Sequence, residues 1–219
     1  MSPSRRILES EENALEHLLD DMYRLAGIML DESIQCLRES DPRIAQHVID
    51  QAEQFNILQH TMEQQCVQTI ALQQPVASDL RRLIADIFIT MELRHVADHA
   101  AAIAGIVLKF EQQPDERFVT LLSKMAADCG AMLTLSRQAY DEADEQLARS
   151  VAVMDDEVDM REKEFNEIVF EEMRTNPGSN MSCTYLLWVS HNLERIGDRI
   201  SNIAERIVYL VSNETPELN

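Results

Sequence analysis

An all-α fold of two tandem three-helix bundles, six long helices in all, is predicted by three features: few helix breakers, long amphipathic runs between them, and a motif that recurs 100 residues after its first occurrence. Only 5 Gly and 6 Pro punctuate the 219 residues, and 45% are hydrophobic, enough for the core of one large domain or two small ones. Ala, Leu, Glu, Gln, Arg and Met, which lose little freedom on entering a helix, are abundant.

Taken in order, the breaks fall at Pro42, Pro75 and Pro114, at the polar, acidic crossing from Asp141 to Gln146, and at Pro177-Gly178. They leave six segments of roughly 28 to 35 residues. The third carries Leu80, Leu83, Ile84, Ile87, Phe88 and Met91 at helical spacing, and the sixth carries Ile196, Ile200, Ile203, Ile207 and Leu210. Each predicts an apolar stripe packed in a bundle. The stretch Glu92 to Asp98 corresponds to Asn192 to Asp198 at an offset of 100, whereas Ala45, Val48, Ala52, Phe55 and Asn56 correspond to Ala148, Val151, Asp155, Val158 and Asp159 at an offset of 103. The second repeat is therefore three residues shorter at the connection between those helices. This places the first bundle in residues 1–113 and the second in residues 114–219.

The formal charge of -20, from 39 acidic and 19 basic residues, excludes the cationic footprint that nucleic acid requires and favours cations or basic protein surfaces as partners. Cys36, Cys66, Cys129 and Cys183 lie far apart without a CxxC pair, so they read as buried small hydrophobes in a reducing compartment. Acids occur too early for a secretory leader, and no apolar run approaches the ~20 residues of a membrane span. A cytoplasmic protein without direct membrane insertion is expected. Met125, Met132, Met154, Met160, Met173, Met181 and Trp188 are expected in the core. The five glycines are too scattered for a phosphate-binding loop, so no nucleotide is expected.

Acidic residues form two stripes. In the last helix His191, Glu194, Asp198, Asn202 and Glu205 are spaced 3, 4, 4 and 3, within about 80° of arc. In the helix before it Asp155, Asp159, Glu162 and Asn166 are spaced 4, 3 and 4, within about 60°. Two such stripes facing each other repel and resist burial unless a multivalent cation or protons compensate them. Oxygen donors with an imidazole nearby suit iron, manganese, zinc or magnesium. Solvated charged faces beside Arg195 and Arg199 are the alternative reading of the same spacing.

Asn192-Leu-Glu194-Arg-Ile-Gly-Asp198, with Asp155-x-x-x-Asp159, resembles the signature of the PhoU family of phosphate-uptake regulators, and Gln74-Pro-Val-Ala-Ser-Asp79-Leu-Arg81 extends the resemblance over nearly the whole chain. The resemblance implies two three-helix bundles, E(D)xxxD motifs that bind a multinuclear metal cluster, and negative control of phosphate uptake without catalysis. It also implies partners: the ATPase or an associated subunit of a phosphate ABC transporter, and a sensor histidine kinase. Metal ligands are expected among Asp155, Asp159, Glu162, Glu194, Asp198 and Glu205. Homodimerisation is left open by the sequence. The rival reading is a carboxylate-bridged helical-bundle metalloenzyme.

The first repeat departs from this pattern, with Ala52, Asn56 and Arg94 where the second has Asp155, Asp159 and Glu194. Only Asp98 survives, one turn from the cationic Arg94. One cluster per chain is expected, and Ala52→Asp, Asn56→Asp and Arg94→Glu together are expected to create a second. Glu92, His95 and His99 have ExxH spacing but no second ExxH to complete a di-iron pattern. They should lie off the acidic seam, at the surface or in an interface.

Overall fold

The computed structural model describes residues 3–213 and Leu218. Its helices are α1 (Pro3–Glu39), α2 (Pro42–Gln73), α3 (Ser78–Val107), α4 (Glu116–Glu142), α5 (Glu145–Thr175) and α6 (Asn180–Ser212), with a short 3-10 turn at Pro177–Ser179. No strand occurs among the described residues. Every expected break falls between two helices. Local chemistry explains the starts of the two middle helices. Asp41 Oδ1 accepts the Arg43 N–H at 2.8 Å with Pro42 in the first helical position, and Asp144 Oδ1 accepts the Leu147 N–H at 3.0 Å. Each carboxylate satisfies an amide that the helix leaves without a partner, and the two caps are 103 residues apart, as the repeat requires.

Helices α1 to α3 pack on one another as one bundle and α4 to α6 as the other. The burial of α2 and α5 runs in step: Ala45, Val48, Phe55, Met62 and Cys66 are buried, as are Ala148, Val151, Val158, Phe165 and Val169. The bundles meet where α3 lies on α6 and α1 on α4. At the α3–α6 contact Arg199 Nη1 lies 3.5 Å from Glu92 Oε2, and His99 Nδ1 lies 2.9 Å from Asn192 Oδ1. These pairs are repeat equivalents of each other with the partners exchanged, so the two helices run antiparallel about a local pseudo-two-fold. The expected interface place of Glu92 and His99 is therefore observed, against α6.

Three expectations on burial are corrected. On α3 only Leu83 of the six stripe residues is buried, and Phe88 faces solvent under the guanidinium of Arg206. The buried register is Leu83, Asp86, Ile89, Leu93, Val96, Ala97, Ala100, Ile103 and Ala104, because α3 packs on α1 and α2 on one side and α6 on the other. Trp188 is 47% exposed, its ring stacked beside Tyr185 and beneath Lys109. Met160 and Met181 are exposed, whereas Met125 and Met132 are in the core and Met154 and Met173 pack at its edge. All four cysteines are buried and free. A further correction concerns α4, which is long and apolar enough by length and composition to cross a membrane. Its Phe118, Leu122, Met125, Cys129 and Met132 are instead buried in the bundle.

A buried polar network ties the bundles together. The Tyr140 hydroxyl donates to Asp86 Oδ1 at 2.5 Å and accepts Arg82 Nε at 3.1 Å, while Arg82 reaches Glu16 at 3.3 Å. Burial pushes the Asp86 carboxyl up to about 6, against the hydrogen bond from Tyr140 and the nearby Arg82, which favour the ionised form. Tyr140→Phe removes the donor that ionised Asp86 needs. It should lower stability by about 1–3 kcal/mol at pH 8 and by less at pH 5, where Asp86 is protonated and carries no charge to satisfy. Urea denaturation at the two pH values checks this, and equal losses would contradict it.

Candidate metal centre

The seam between α5 and α6 exists because two helices with acids at every turn pack their stripes on each other. Asp155, Asp159 and Glu162 project from α5, and Glu194 and Asp198 from α6, while Val158 and Phe165 on α5 and Leu193, Ile196 and Ile200 on α6 are buried and keep the helices in contact. Asp159, Glu194 and Asp198 each offer a carboxylate oxygen within 4.8 Å of the other two. Oxygens around one cation at ~2.1 Å can be at most ~4.2 Å apart, so small side-chain rotations suffice to converge them.

Asp155 lies deepest, 6% exposed. Its Oδ2 accepts the Ser201 hydroxyl at 2.9 Å, and its Oδ1 is buried without a hydrogen-bond partner. An ionised carboxylate left in this state is costly. Its pKa is accordingly pushed from 3.8 to about 7 by burial, with Asp198, Asp159 and Glu194 adding like-charge repulsion against the favourable Ser201 contact. Glu194 is also raised, by burial first and then by Asp198 and Glu162, with Arg195 and His191 opposing. These are the marks of an acid cage short of positive charge.

The basic side chains near the cage lie at its rim. Arg195 Nη1 donates to Asp198 Oδ2 at 2.7 Å, with its Nε 3.3 Å from Glu194 Oε2. His191 Nδ1 stands 3.5 Å from Glu194 and 3.7 Å from Glu162, and Lys163 Nζ stands 3.8 Å from Asp159. Asn166 accepts the Ser190 hydroxyl at 3.2 Å and so ties the two helices one turn beyond the acids. Of the expected ligands, the structure brings Asp159, Glu194 and Asp198 together, with Asp155 below them and Glu162 beside His191. Glu205 is engaged elsewhere, its Oε1 accepting the Leu218 N–H at 2.8 Å. Asn202 also turns away from the seam, its amide 3.4 Å from Glu92 Oε2.

Two features escaped the stripe argument. Arg195, which the alternative solvated-face reading sets beside the acids, clamps Glu194 and Asp198. Gly197 and Ser201 were not singled out, although an isolated glycine inside a helix is a signal for close approach of another group. The donor set of buried and half-buried carboxylate oxygens fits a hard or borderline multivalent cation, and the unpartnered Asp155 Oδ1 is the observation that calls for one. In the first repeat Arg94 Nη1 donates to Asp98 Oδ2 at 2.7 Å, so the surviving acid there is already paired.

Residues 19–107 and 122–207 each match the family model of the PhoU domain. The phosphate-specific transport system accessory protein PhoU homolog of Clostridium acetobutylicum is 30% identical over 218 residues, 99% of each chain. The protein of the same description from Caulobacter vibrioides is 33% identical over 215 residues, 94% of this chain and 92% of the relative. Among solved structures, PhoU from Pseudomonas aeruginosa has a TM-score of 0.88 at 26% identity, covering 94% of this chain and 99% of that one. The phosphate transport system regulatory protein PhoU from Streptococcus pneumoniae has a TM-score of 0.88 at 27% identity, covering 96% and 99%.

The raised Asp155 pKa fixes a pH dependence for the metal-free protein. Below about pH 4 the proton is on Asp155 in both folded and unfolded chains. Between its ordinary 3.8 and the folded value of about 7, only the folded chain holds it, so this group lowers stability progressively as pH rises and the loss levels off above pH 7. Asp155→Asn should therefore raise the melting temperature of chelated protein at pH 8, by the equivalent of about 2 kcal/mol once the full shift of about 4 kcal/mol is discounted for solvent screening at the seam, and leave it nearly unchanged at pH 4. Calorimetry across that range checks the prediction; a pH-independent difference between the two proteins would contradict it.

Proposed function

This chain belongs to the PhoU family, and we propose that it is a metal-binding regulatory adaptor of phosphate uptake whose α5–α6 seam holds a multinuclear cluster of iron, zinc or manganese. The observation that carries the reading is the convergence of Asp159, Glu194 and Asp198 above a buried Asp155 with an unpartnered oxygen. Names of relatives and structural neighbours describe accessory and regulatory proteins of phosphate transport, which supports regulation over the carboxylate-bridged enzyme. The Glu92, His95 and His99 trio supports the same choice, since Glu92 and His99 are used by the contact between bundles.

Asp155, Asp159, Glu162, Glu194 and Asp198 would hold the cluster. When bound, it supplies the positive charge that lets all of them stay ionised at close range. The protein's own part is to fix the acids on two helices whose apolar faces are already packed, so that loading draws α5 and α6 together at the seam without building the fold. Arg195, held by Glu194 and Asp198 in the metal-free arrangement, is then released to the surface. An adaptor with a net charge of -20 is steered onto basic surfaces. The partners in this reading are the ATPase or an associated subunit of a phosphate ABC transporter and a sensor histidine kinase, met on the cytoplasmic side.

Elemental analysis tests the site. Wild-type protein should carry more than one equivalent of transition metal, and Asp155→Ala with Asp198→Ala should remove it; unchanged content in the double variant would refute the assignment. Asp98→Ala should leave content almost untouched while Glu194→Ala lowers it, and matching losses would mean that both repeats bind. Deleting the gene should keep phosphate uptake or the starvation response high in rich medium. Capture of the transporter ATPase or the kinase should weaken as salt rises, and normal phosphate responses with no partner recovered at low salt would end the adaptor reading.

A further inference from the structure

The two repeats differ by a matched set of residues around one helix contact. We infer that Gly197 and Ser201 are the positioning residues of Asp155, and that the first repeat has been rebuilt with three alanines and Arg94 into a cation-independent copy of the same joint. The inference deepens the metal-centre reading and, for the role of the seam as a ligand site, rests on it.

In the second repeat a Cβ on Gly197 would stand 2.4 Å from Asp155 Oδ1 and 3.5 Å from Val158 Cγ1. No side chain fits there while the carboxylate keeps its place. The other oxygen, Oδ2, accepts the hydroxyl of Ser201 at 2.9 Å, one turn further along α6. A missing methyl on one side and a hydroxyl on the other thus fix both oxygens of the deepest acid, and this aims the unpartnered Oδ1. Glycine in the middle of a helix is less stable than alanine, and here the close approach of the carboxylate is what requires it.

The repeat equivalents of Asp155, Gly197 and Ser201 are Ala52, Ala97 and Ala101. The three changes are coherent. With no carboxylate at position 52, the repeat position of the Gly197 hydrogen carries the methyl of Ala97, which is fully buried, and the hydroxyl that would have nothing to hold is absent at position 101. Charge follows the same logic. Asp155, Asp159, Glu194 and Asp198 are four acids, whereas Ala52, Asn56, Arg94 and Asp98 sum to zero, with the Arg94 guanidinium 2.7 Å from Asp98. Loss of the acid alone would keep a glycine and a serine at the facing repeat positions; here both have changed with it. The first bundle's α2–α3 joint is therefore closed at every metal concentration, and only the second is conditional. On this inference the set Ala52→Asp, Asn56→Asp and Arg94→Glu that is expected to create a second site is completed by Ala97→Gly, to admit the carboxylate, and Ala101→Ser, to hold it.

A double-mutant cycle on chelated full-length protein tests the steric pairing without reference to metal. In the Asp155→Ala background Gly197→Ala should raise the melting temperature by roughly 2–4 °C, the gain of replacing glycine in a helix. With Asp155 intact the methyl must push the carboxylate off Ser201, and that gain should vanish or reverse. Equal gains in both backgrounds would overturn the proposal. In the first repeat Ala52→Asp alone should lower the melting temperature by several degrees, and adding Ala97→Gly with Ala101→Ser should recover part of the loss; no recovery would also overturn it. Titration with zinc or manganese then reads the ligand role: Gly197→Ala and Ser201→Ala should each weaken binding by ~10-fold or more, and unchanged affinity in both would refute positioning. A wild type that takes up neither metal would refute the metal-centre reading, while the melting cycle would still decide the steric pairing.

Discussion

Five carboxylates held between two packed helices repel one another, and much of the surrounding structure answers that repulsion. Arg195 is bent over Glu194 and Asp198, His191 stands between Glu162 and Glu194, and Lys163 reaches toward Asp159. None of these reaches Asp155, which keeps one oxygen unpartnered and shares its site with protons instead. The apolar stripe beneath, from Leu193 to Ile207 on α6 and from Val151 to Val169 on α5, supplies the attraction that holds the acids close. Burial keeps the helices together while charge strains them apart, and a multivalent cation bound there, as proposed, would relieve the strain.

Helix α6 carries that response beyond the seam. One face presents Glu194 and Asp198 to α5, and a neighbouring face presents Asn192 and Arg199 to α3. Any change in how α5 and α6 sit is thus made on a helix that the first bundle also packs against. The second link between bundles, Asp86 with Tyr140 and Arg82, is buried and hydrogen-bonded, so the bundles meet through directional polar contacts as well as apolar ones. Directional contacts have few good arrangements, which favours discrete over continuous adjustment.

The helix boundaries were legible because proline, glycine and short acidic crossings act locally: Asp41 with Pro42 and Asp144 set helix starts through contacts within three residues. The α6 stripe was legible because its apolar residues lie on one face. The α3 register was not, since a helix with neighbours on two sides buries small residues such as Ala97, Ala100 and Ala104 that carry little hydrophobic signal. Trp188 and Met160 show the converse, large apolar side chains left outside because spacing alone does not say which face has a partner. At the candidate site spacing found the seam acids, but it also included Glu205 and Asn202, which turn to other contacts. It could not see Gly197, whose role is the space it leaves.

That space also separates a site the fold needs from one the fold merely contains. Each bundle has its own buried apolar core, including Phe55 and Met62 in the first and Phe165 and Leu186 in the second, so folding does not wait on the acids being compensated. A structural metal site of the zinc-finger kind couples binding to folding itself; in the proposed reading the coupling here would be limited to a seam on the surface of a finished core. The first repeat makes the point within one molecule. It keeps the same helices and the equivalent buried apolar positions on its middle helix, with an arginine paired to its one remaining acid. The acids of the second repeat are therefore not a requirement of the three-helix fold, and the proposed cation site gives their cost to the metal-free chain a function.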